Sequence, residues 1–339
     1  MQQTKPLVIA LSSLMAITLI VPALLVLPFK DKAPIEKAEV LHEVVSSAPP
    51  APVTNAIEVA VYRTEADAVE NVPLEAYVEG VLASEMPAEF ELEALKAQAL
   101  AARTYIVKQM LHHDNMGLPD GANVTDTVLH QVFKNEAELR ENWGPDFDWK
   151  MDKIRKAVQA TTGQIITFNN EPITPAFFST SNGYTENSEA YWQNPFPYLT
   201  SVESPWDKVS PKFSTQKIMT VQEFERKLNI KLPSDGSLGT ILGRTPGKRI
   251  EAVQIGGKTF TGREIREKLD LRSTDFTWMR TGSEIVITTK GYGHGVGMSQ
   301  YGANGMAQSG KTYEEIIHYY YKGVNISPLT NFQTALASY

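Results

Sequence analysis

Apolar and polar positions alternate along the chain in ways that predict a body of mixed helices and short strands. The pattern predicts a helix from Pro73 up to Pro87, further helices near 90–110 and at 152–162, 221–228, 262–269 and 313–321, and strands at 58–62, 165–168, 173–179, 250–255 and 285–288. These elements do not follow the regular period of a parallel βαβ fold. The predicted fold class is therefore α+β, with helices and short strands around a substrate groove.

The helix predicted near 90–110 has an apolar stripe at spacings of three and four residues. Its members are Leu92, Leu95, Ala99, Ala102, Ile106 and Met110. Lys96 and Arg103 are seven residues apart and share a face beside this stripe, from which they could reach back toward Glu85. The alternative is that both are solvated charges on a surface helix.

The N-terminal part of the chain reads as an anchor and a tether. Residues Leu7–Phe29 carry no charge, and at ~1.5 Å per residue they are long enough to cross a hydrocarbon layer of about 30 Å. A signal peptide has a shorter apolar region and a small-residue cleavage site, so an uncleaved transmembrane helix is favoured. The charges that flank it nearly balance, so its orientation, with residues 1–6 cytoplasmic, depends on the function of the body. Residues 30–56 include Ser46–Pro52 and predict a Pro-rich linker, or else an irregular arm on the body.

The body is predicted to span residues 57–327. Lysines and prolines punctuate the segment at about 210–247, which is interpreted as an elaboration within this domain. Residues 328–339 are predicted to form a C-terminal tail.

Composition and missing motifs exclude several function classes. The chain of 339 residues has a formal net charge of -7 and no basic run, which argues against a nucleic-acid partner. It has no cysteine, and its histidines show no HExxH spacing, so zinc hydrolysis is a weak interpretation. No Gly-x-Ser-x-Gly elbow supports a serine hydrolase.

Three segments carry candidate chemistry. Glu85 is an isolated acid at the junction between two helices, in a position to act as a proton donor. The hydroxyl- and amide-rich loop Thr180–Thr185 precedes a group of aromatic residues at 191–206, a mixture that suits either a sugar polymer or an irregular core. Four glycines surround His294 in Gly291–Gly297, which permits close approach to the imidazole; a tight structural turn is the alternative.

These segments resemble the stage II sporulation protein D family, the peptidoglycan lytic transglycosylases of engulfment. The resemblance is carried by Glu85-Met86-Pro87, Lys96–Ala99, Ala102–Tyr105, Ser179–Thr185, Gly262–Arg266 and Gly291–Ala303, in family order. It implies that Glu85 is the single general acid and base, because the muramyl C6 hydroxyl supplies the nucleophile.

The resemblance further implies that Ser181, Tyr198, His294 and Gln300 line a glycan groove, with Lys96 or Arg103 contacting substrate or orienting Glu85. Some family members have a zinc site built partly from cysteines. With no cysteine in this chain we predict no metal and no cofactor, and His130 is at most a remnant of that site.

By the same resemblance, the body lies outside the cytoplasmic membrane and acts on peptide-stripped glycan strands. In a sporulating cell it would be anchored in the mother-cell membrane and face the intermembrane space. The implied partners are a sporulation amidase/endopeptidase and a multi-spanning membrane protein of the engulfment complex. Two other functions are open: a non-catalytic amidase enhancer, and a hydrolysing muramidase that uses Asp207 or Glu203 as its second carboxylate.

Overall fold

A computed structural model describes residues 57–112, 117–192 and 194–337. Its ten α-helices within these ranges are α1 Leu74–Glu85, α2 Leu92–His112, α3 Glu136–Trp143, α4 Phe147–Ala160, α5 Glu189–Trp192, α6 Val221–Leu228, α7 Gly262–Leu269, α8 Gln300–Gln308, α9 Tyr313–Tyr320 and α10 Gln333–Ala337. The strands are β1 Glu58–Arg63, β2 Ala68–Pro73, β3 Val124–Thr125, β4 Gln164–Phe168, β5 Glu171–Pro172, β6 Phe177–Phe178, β7 Ser214–Thr220, β8 Thr240–Arg244, β9 Ile250–Ile255, β10 Lys258–Thr261, β11 Asp275–Thr281, β12 Glu284–Lys290, β13 Met298–Ser299 and β14 Asn325–Pro328. The predicted α+β class is confirmed.

The predicted anchor at 7–29 and linker at 30–56 lie outside the described residues. Within the ranges that the structure describes, no helix is both long and apolar enough to span a membrane.

The main hydrophobic core is built around α2. Helices α1, α4, α8 and α9 and strand β4 all pack against it, and most of its residues from Ala94 to Val107 are buried. The predicted stripe packs in the core, with Leu95, Ala99, Ala102 and Ile106 buried, but the helix is enclosed on nearly all sides and not on one face alone. Its many alanines are the reason, because small side chains let neighbouring helices approach from every direction.

A second hydrophobic core lies in an inserted subdomain, residues 214–290. The sheet β11-β12-β7, the sheet β10-β9-β8 and the helices α6 and α7 enclose apolar residues between Met219 and Ile287. The elaboration predicted at about 210–247 is thus only the first part of a larger unit. Helix α7 begins with a capping box, in which Thr261 and Glu264 each bond the other's backbone N–H.

The two cores are joined by the chain segments that flank the inserted subdomain and by side chains. Asn182 donates from Nδ2 to Gly247 O and to Asp275 Oδ2, each at 3.0 Å. Gly293 N donates to Arg272 O at 2.9 Å. Residues Gly291–Gly297, the glycine loop, are therefore held between the two cores.

The C-terminal segment is more ordered than a tail. Strand β14 pairs antiparallel with β4, and Leu329 and Leu336 are buried in the main core.

Arg103 is the largest charged side chain in the main core. It is fully buried; its Nη2 lies 2.6 Å from Glu75 Oε2, and its Nη1 donates to Gln164 O at 3.2 Å. Arg103→Ala should lower the free energy of unfolding by about 3 kcal/mol, since it leaves Glu75 and the carbonyl groups without their donor.

Urea denaturation of the purified protein measures this change. Lys156→Ala is the matched control, because the Lys156–Asp152 pair is exposed, 3.7 Å apart, and expected to contribute about 0–1 kcal/mol. Equal effects of the two substitutions would contradict a structural role for Arg103.

Candidate functional site

Glu85 is the last residue of α1. The next residue, Met86, is extended with φ -130 and ψ 135, as expected for a residue before proline. The Met86 side chain is buried and fixes this corner, whereas Glu85 is only partly buried. The sequence thus ends the helix in a way that leaves the carboxyl at a sharp change of chain direction.

The environment of Glu85 favours its protonated form. Burial raises the pKa of Glu85 above its ordinary value, and a hydrogen bond from the Val132 backbone opposes this rise. No cation lies within ion-pair distance of Glu85 among the described side chains. A raised pKa lets a carboxyl keep its proton to a higher pH than an exposed glutamate does, which favours a role as general acid.

The segment Gln131–Lys134 holds the Val132 backbone against this corner. Tyr77 of α1 donates from its hydroxyl to Gln131 Oε1 at 3.2 Å, and its ring stacks on Phe133 with 5.3 Å between centroids. The segment runs so close to α1 that a β-carbon at Gly80 would lie 2.4 Å from Lys134 O. Sequence reasoning missed this segment, because nothing local marks its distant contact with α1.

Helix α8 supports the other side of the corner. Gln300 donates from Nε2 to Glu85 O at 3.0 Å. Glu91 N donates to Asn304 Oδ1 at 2.7 Å, and Tyr301 packs edge-on against Phe90 at 4.9 Å between ring centroids. The resemblance implied that Gln300 lines the groove; in the structure its amide holds the Glu85 carbonyl, and the residue is only 7% exposed.

Asp207 fixes the start of α8. It is fully buried and accepts hydrogen bonds from Ser181 N and Oγ, both at 2.8 Å, and from the hydroxyls of Ser204 and Ser299. Ser299 is also the N-cap of α8, because its hydroxyl accepts from Gly302 N. Asp207 thus positions Gln300 through Ser299, and its enclosure does not suit a second catalytic carboxylate.

Several residues implied by the resemblance lie inside the protein. Arg103 is bound to Glu75, so it neither touches Glu85 nor faces a groove. Ser181 is fully buried on Asp207, and Tyr198 is 6% exposed with its hydroxyl accepting from Thr174 N at 2.9 Å. The expectation that these three contact substrate does not fit their placement, because the polar atoms of each are hydrogen-bonded within the core.

Lys96 is not at Glu85 either. Its Nζ lies 2.6 Å from Glu93 Oε1 and 5.7 Å from the centroid of the Tyr313 ring. The other muramidase carboxylate considered, Glu203, is exposed, and its carbonyl accepts from the Tyr319 hydroxyl.

His130 lies close to Thr125, whose Oγ1 is 3.0 Å from His130 Nδ1. Across 57–112, 117–192 and 194–337, no three histidine, aspartate or glutamate side chains come together as metal ligands would.

His294 lies at a cleft between the main core and the inserted subdomain. The cleft has a volume of about 400 Å³ and is lined by Glu186, Asn187, Glu189, Ala190, Tyr191, Arg244, Thr245, Pro246, Arg249, Ile250, Glu251, Thr261, Gly262, Arg263, Thr274 and His294. The His294 ring packs against Tyr191, Trp192 and Phe178, with 5.2–5.7 Å between ring centroids.

The His294 ring is neutral at neutral pH. Burial, with the nearby positive charges of Arg266 and Arg249, lowers its pKa to about 3. His294 Nδ1 accepts from Val296 N at 3.1 Å, so the neutral ring carries its proton on Nε2. The other ring nitrogen is hydrogen-bonded to the Phe177 backbone, so both nitrogens are used within the protein and the ring offers no charge.

Two features characterise the described part of this protein. One is its α+β body. The other is Glu85 at the end of α1, held by Gln300 at the start of α8, just after the glycine loop that lines a polar and aromatic cleft. The stage II sporulation protein (SpoIID) family profile matches residues 62–168. The chain is 51% identical over 334 residues to stage II sporulation protein D of Bacillus subtilis, with 97% of each chain covered. It is 49% identical over 335 residues to the protein of the same name from Bacillus amyloliquefaciens, again with 97% of each covered.

The chain therefore belongs to the stage II sporulation protein D family. A more distant relative, the amidase enhancer of Bacillus subtilis, is 30% identical over 307 residues, which cover 74% of this chain and 40% of that protein.

Gly295 permits the close contact between the glycine loop and the inserted subdomain. Its φ is +92, and a β-carbon there would lie 2.4 Å from Arg249 Cζ. Gly295→Ala should destabilise the fold by about 1–2 kcal/mol through backbone strain, and by about 1–3 kcal/mol more through steric overlap with buried Arg249.

Gly310→Ala separates the two effects, because Gly310 has a similar φ of +84 but nothing within 4 Å of an added β-carbon. Thermal unfolding of both variants measures the difference. Equal destabilisation would show that the Arg249 contact contributes nothing.

Proposed function

We propose that this protein is a lytic transglycosylase that cleaves the β-1,4 bond between N-acetylmuramic acid and N-acetylglucosamine in peptide-stripped peptidoglycan. The observation that supports this most directly is Glu85: a partly buried carboxyl with a raised pKa at a supported chain corner, without an ion-pair partner among the described residues. The burial of Asp207 adds support, because it removes one of the two carboxylates considered as a partner for a hydrolysing mechanism.

The proposed reaction needs only one carboxyl group. Protonated Glu85 donates its proton to the glycosidic oxygen as the bond from muramyl C1 breaks, which releases the N-acetylglucosamine hydroxyl. The resulting carboxylate then accepts the proton of the muramyl C6 hydroxyl, while the oxygen of that hydroxyl forms a bond to C1. The product is a 1,6-anhydro ring, Glu85 is protonated again, and no water is consumed.

The cellular setting is proposed from family membership. The protein would act in engulfment during sporulation. Residues Leu7–Phe29 would anchor it in the mother-cell membrane, and the body would lie outside the cytoplasm and face the intermembrane space. Its partners would be the amidase/endopeptidase that strips peptides from the glycan and a multi-spanning membrane protein of the same machinery.

A non-catalytic role is the second candidate. It is favoured by the similarity to a protein named amidase enhancer, which covers 74% of this chain. In that role the same site would bind glycan and stimulate a separate hydrolase.

Glu85→Gln should abolish cleavage while glycan binding is retained, because the amide keeps the shape but cannot donate an acidic proton. The measurement is mass spectrometry of purified, peptide-stripped strands after digestion. Glu141→Gln, an exposed acid on α3, is the control and should cleave normally. Anhydro-muramyl ends from the unaltered protein support the proposal; reducing ends would indicate hydrolysis, and no cleavage at all would favour the enhancer role.

Cleavage should also depend on pH through Glu85. The acid step needs the protonated carboxyl, so kcat/KM should fall as pH rises through the pKa of Glu85, which burial places above that of an exposed glutamate. The same shift makes the folded state bind this proton more tightly than the unfolded state. The stability of the unaltered protein relative to Glu85→Gln should therefore be highest at low pH and fall as pH rises through the folded-state pKa.

A decline of kcat/KM at the pH expected for a solvent-exposed glutamate would contradict the raised pKa. The measurement is a pH series of initial rates on soluble strands, paired with urea denaturation of both proteins at the same pH values.

A further inference from the structure

The inserted subdomain has an apolar groove between strands β8 and β11. The groove has a volume of about 800 Å³ and is lined by the consecutive residues 276–280 of β11, by residues 238–241 in and just before β8, and by Gly236 and Ile250. The two strands lie at the edges of different three-stranded sheets and do not pair with each other. The groove therefore runs between two sheet edges.

Strand β11 directs free backbone groups into this groove. The carbonyl of Thr274, just before the strand, accepts a hydrogen bond from Ile250 N at 3.0 Å, on the side away from β12. Backbone groups point to alternate sides along a strand, so the N–H and C=O groups of Phe276, Trp278 and Arg280 also point away from β12. Among the described residues, no backbone group pairs with them. These three residues therefore offer both donors and acceptors to an incoming chain.

Strand β11 lacks the irregularity that protects an open edge. All of its residues, Asp275–Thr281, pair in register with Glu284–Lys290 of β12. The facing strand β8 is interrupted by register shifts between Ile241 and Arg244, and such bulges disfavour pairing with a further strand. A regular open edge is a template for strand addition, so we expect an added strand to pair with β11 rather than with β8.

The groove also offers apolar side chains to such a strand. Ile241 and Met279 line it and are 40% and 61% exposed. Met279 lies across the sheet from Val286, which in turn pairs with Ile218, a residue that is 59% exposed. This apolar row crosses the sheet and ends at the groove. A strand added to β11 would continue the row and cover Met279.

The charge of the inserted subdomain favours an acidic partner. Residues 214–290 include 14 lysines and arginines and nine aspartates and glutamates, a net charge of +5, whereas the whole chain has a net charge of -7. Arg280 is the only charged residue among those that line the groove. An acidic segment therefore complements both the groove and the subdomain around it, whereas a basic segment would be repelled.

We propose that the β11 edge binds an extended, acidic segment of a protein partner as an additional β-strand, with alternate apolar side chains of that segment in the groove. Free backbone groups along a regular edge favour this occupant over a lipid surface or a folded helix, since neither would pair with them in a ladder. The inference is independent of the proposed glycan-cleaving function, because Glu85 and the residues that hold it do not line the groove. It gives the inserted subdomain a role in assembly.

The test titrates the full-length protein into a fluorescein-labelled synthetic peptide of about nine residues, a length within the range of single strands, that alternates valine and glutamate. Fluorescence anisotropy measures the dissociation constant. Lysine in place of glutamate in the peptide should weaken binding roughly tenfold. N-methylation of the central backbone amides keeps the side chains and should abolish binding, because these amides are needed for pairing with the edge.

Two substitutions at one position separate the backbone from the side chain. Arg280→Pro removes a groove-facing N–H and should weaken peptide binding roughly tenfold more than Arg280→Ala, which removes only the side chain. Gln216→Pro is the matched control, because Gln216 is an exposed residue of another edge strand, β7, and does not line the groove. This variant should bind the peptide as the unaltered protein does.

Absence of saturable binding of the acidic peptide would overturn the proposal. Equal binding of the N-methylated peptide would do the same, and this comparison needs no change to the protein. Equal weakening by Arg280→Pro and Gln216→Pro would indicate a general structural effect and also contradict it. Sedimentation of the full-length protein without peptide tests a second copy as the occupant: a dimer that Arg280→Pro dissociates would show that the edge pairs with itself instead.

Discussion

The buried carboxylate of Asp207 is the constraint on which the arrangement of the site depends. Donors from three separate segments converge on it: Ser181 from the hydroxyl-rich loop, Ser204 from the segment before the inserted subdomain, and Ser299 at the start of α8. Burial raises the pKa of Asp207, whereas these hydrogen bonds stabilise its ionised form. Because an enclosed carboxylate needs every one of these donors, none of the three segments can move without exposing an unsatisfied group.

Asp207 also helps to fix the position of Glu85, because it holds the start of α8. Ser299 connects Asp207 to the first turn of the helix, and the next residue, Gln300, holds the Glu85 carbonyl. The opposite side is held by Gln131–Lys134, which Tyr77 and Gly80 fix against α1. The carboxyl of Glu85 is therefore positioned by two segments that are distant from it in the chain. Such support is what a general acid needs, because its geometry must be set before substrate arrives.

The two buried arginines, Arg103 and Arg249, are placed where their charges do not favour the ionised form of Glu85. A close Arg103 would hold the Glu85 carboxyl ionised, but Arg103 is committed to Glu75 and to backbone carbonyls inside the main core. Arg249 is likewise committed to the junction between the two cores, where it fits against Gly295. Each arginine stabilises the fold at a place where its charge does not reach the proposed acid, so burial remains the larger influence on Glu85.

The local pattern of the sequence was enough to predict the α+β class, the end of α1 at Glu85, and the bounds of α6, α7 and β9, because each depends on residues adjacent in the chain: prolines, caps and apolar periodicity. The glycines of Gly291–Gly297 also indicated a close approach of other groups to this loop, but the bond between Gln300 and the Glu85 carbonyl was not predicted. The roles of Arg103, Ser181 and Tyr198 were not predicted either, because periodicity gives the face of a helix but not whether another helix covers it. Only the tertiary structure decided that α2 is central, that Ser181 serves Asp207, and that Gln131–Lys134 crosses Gly80, since each is a contact between residues far apart in the chain.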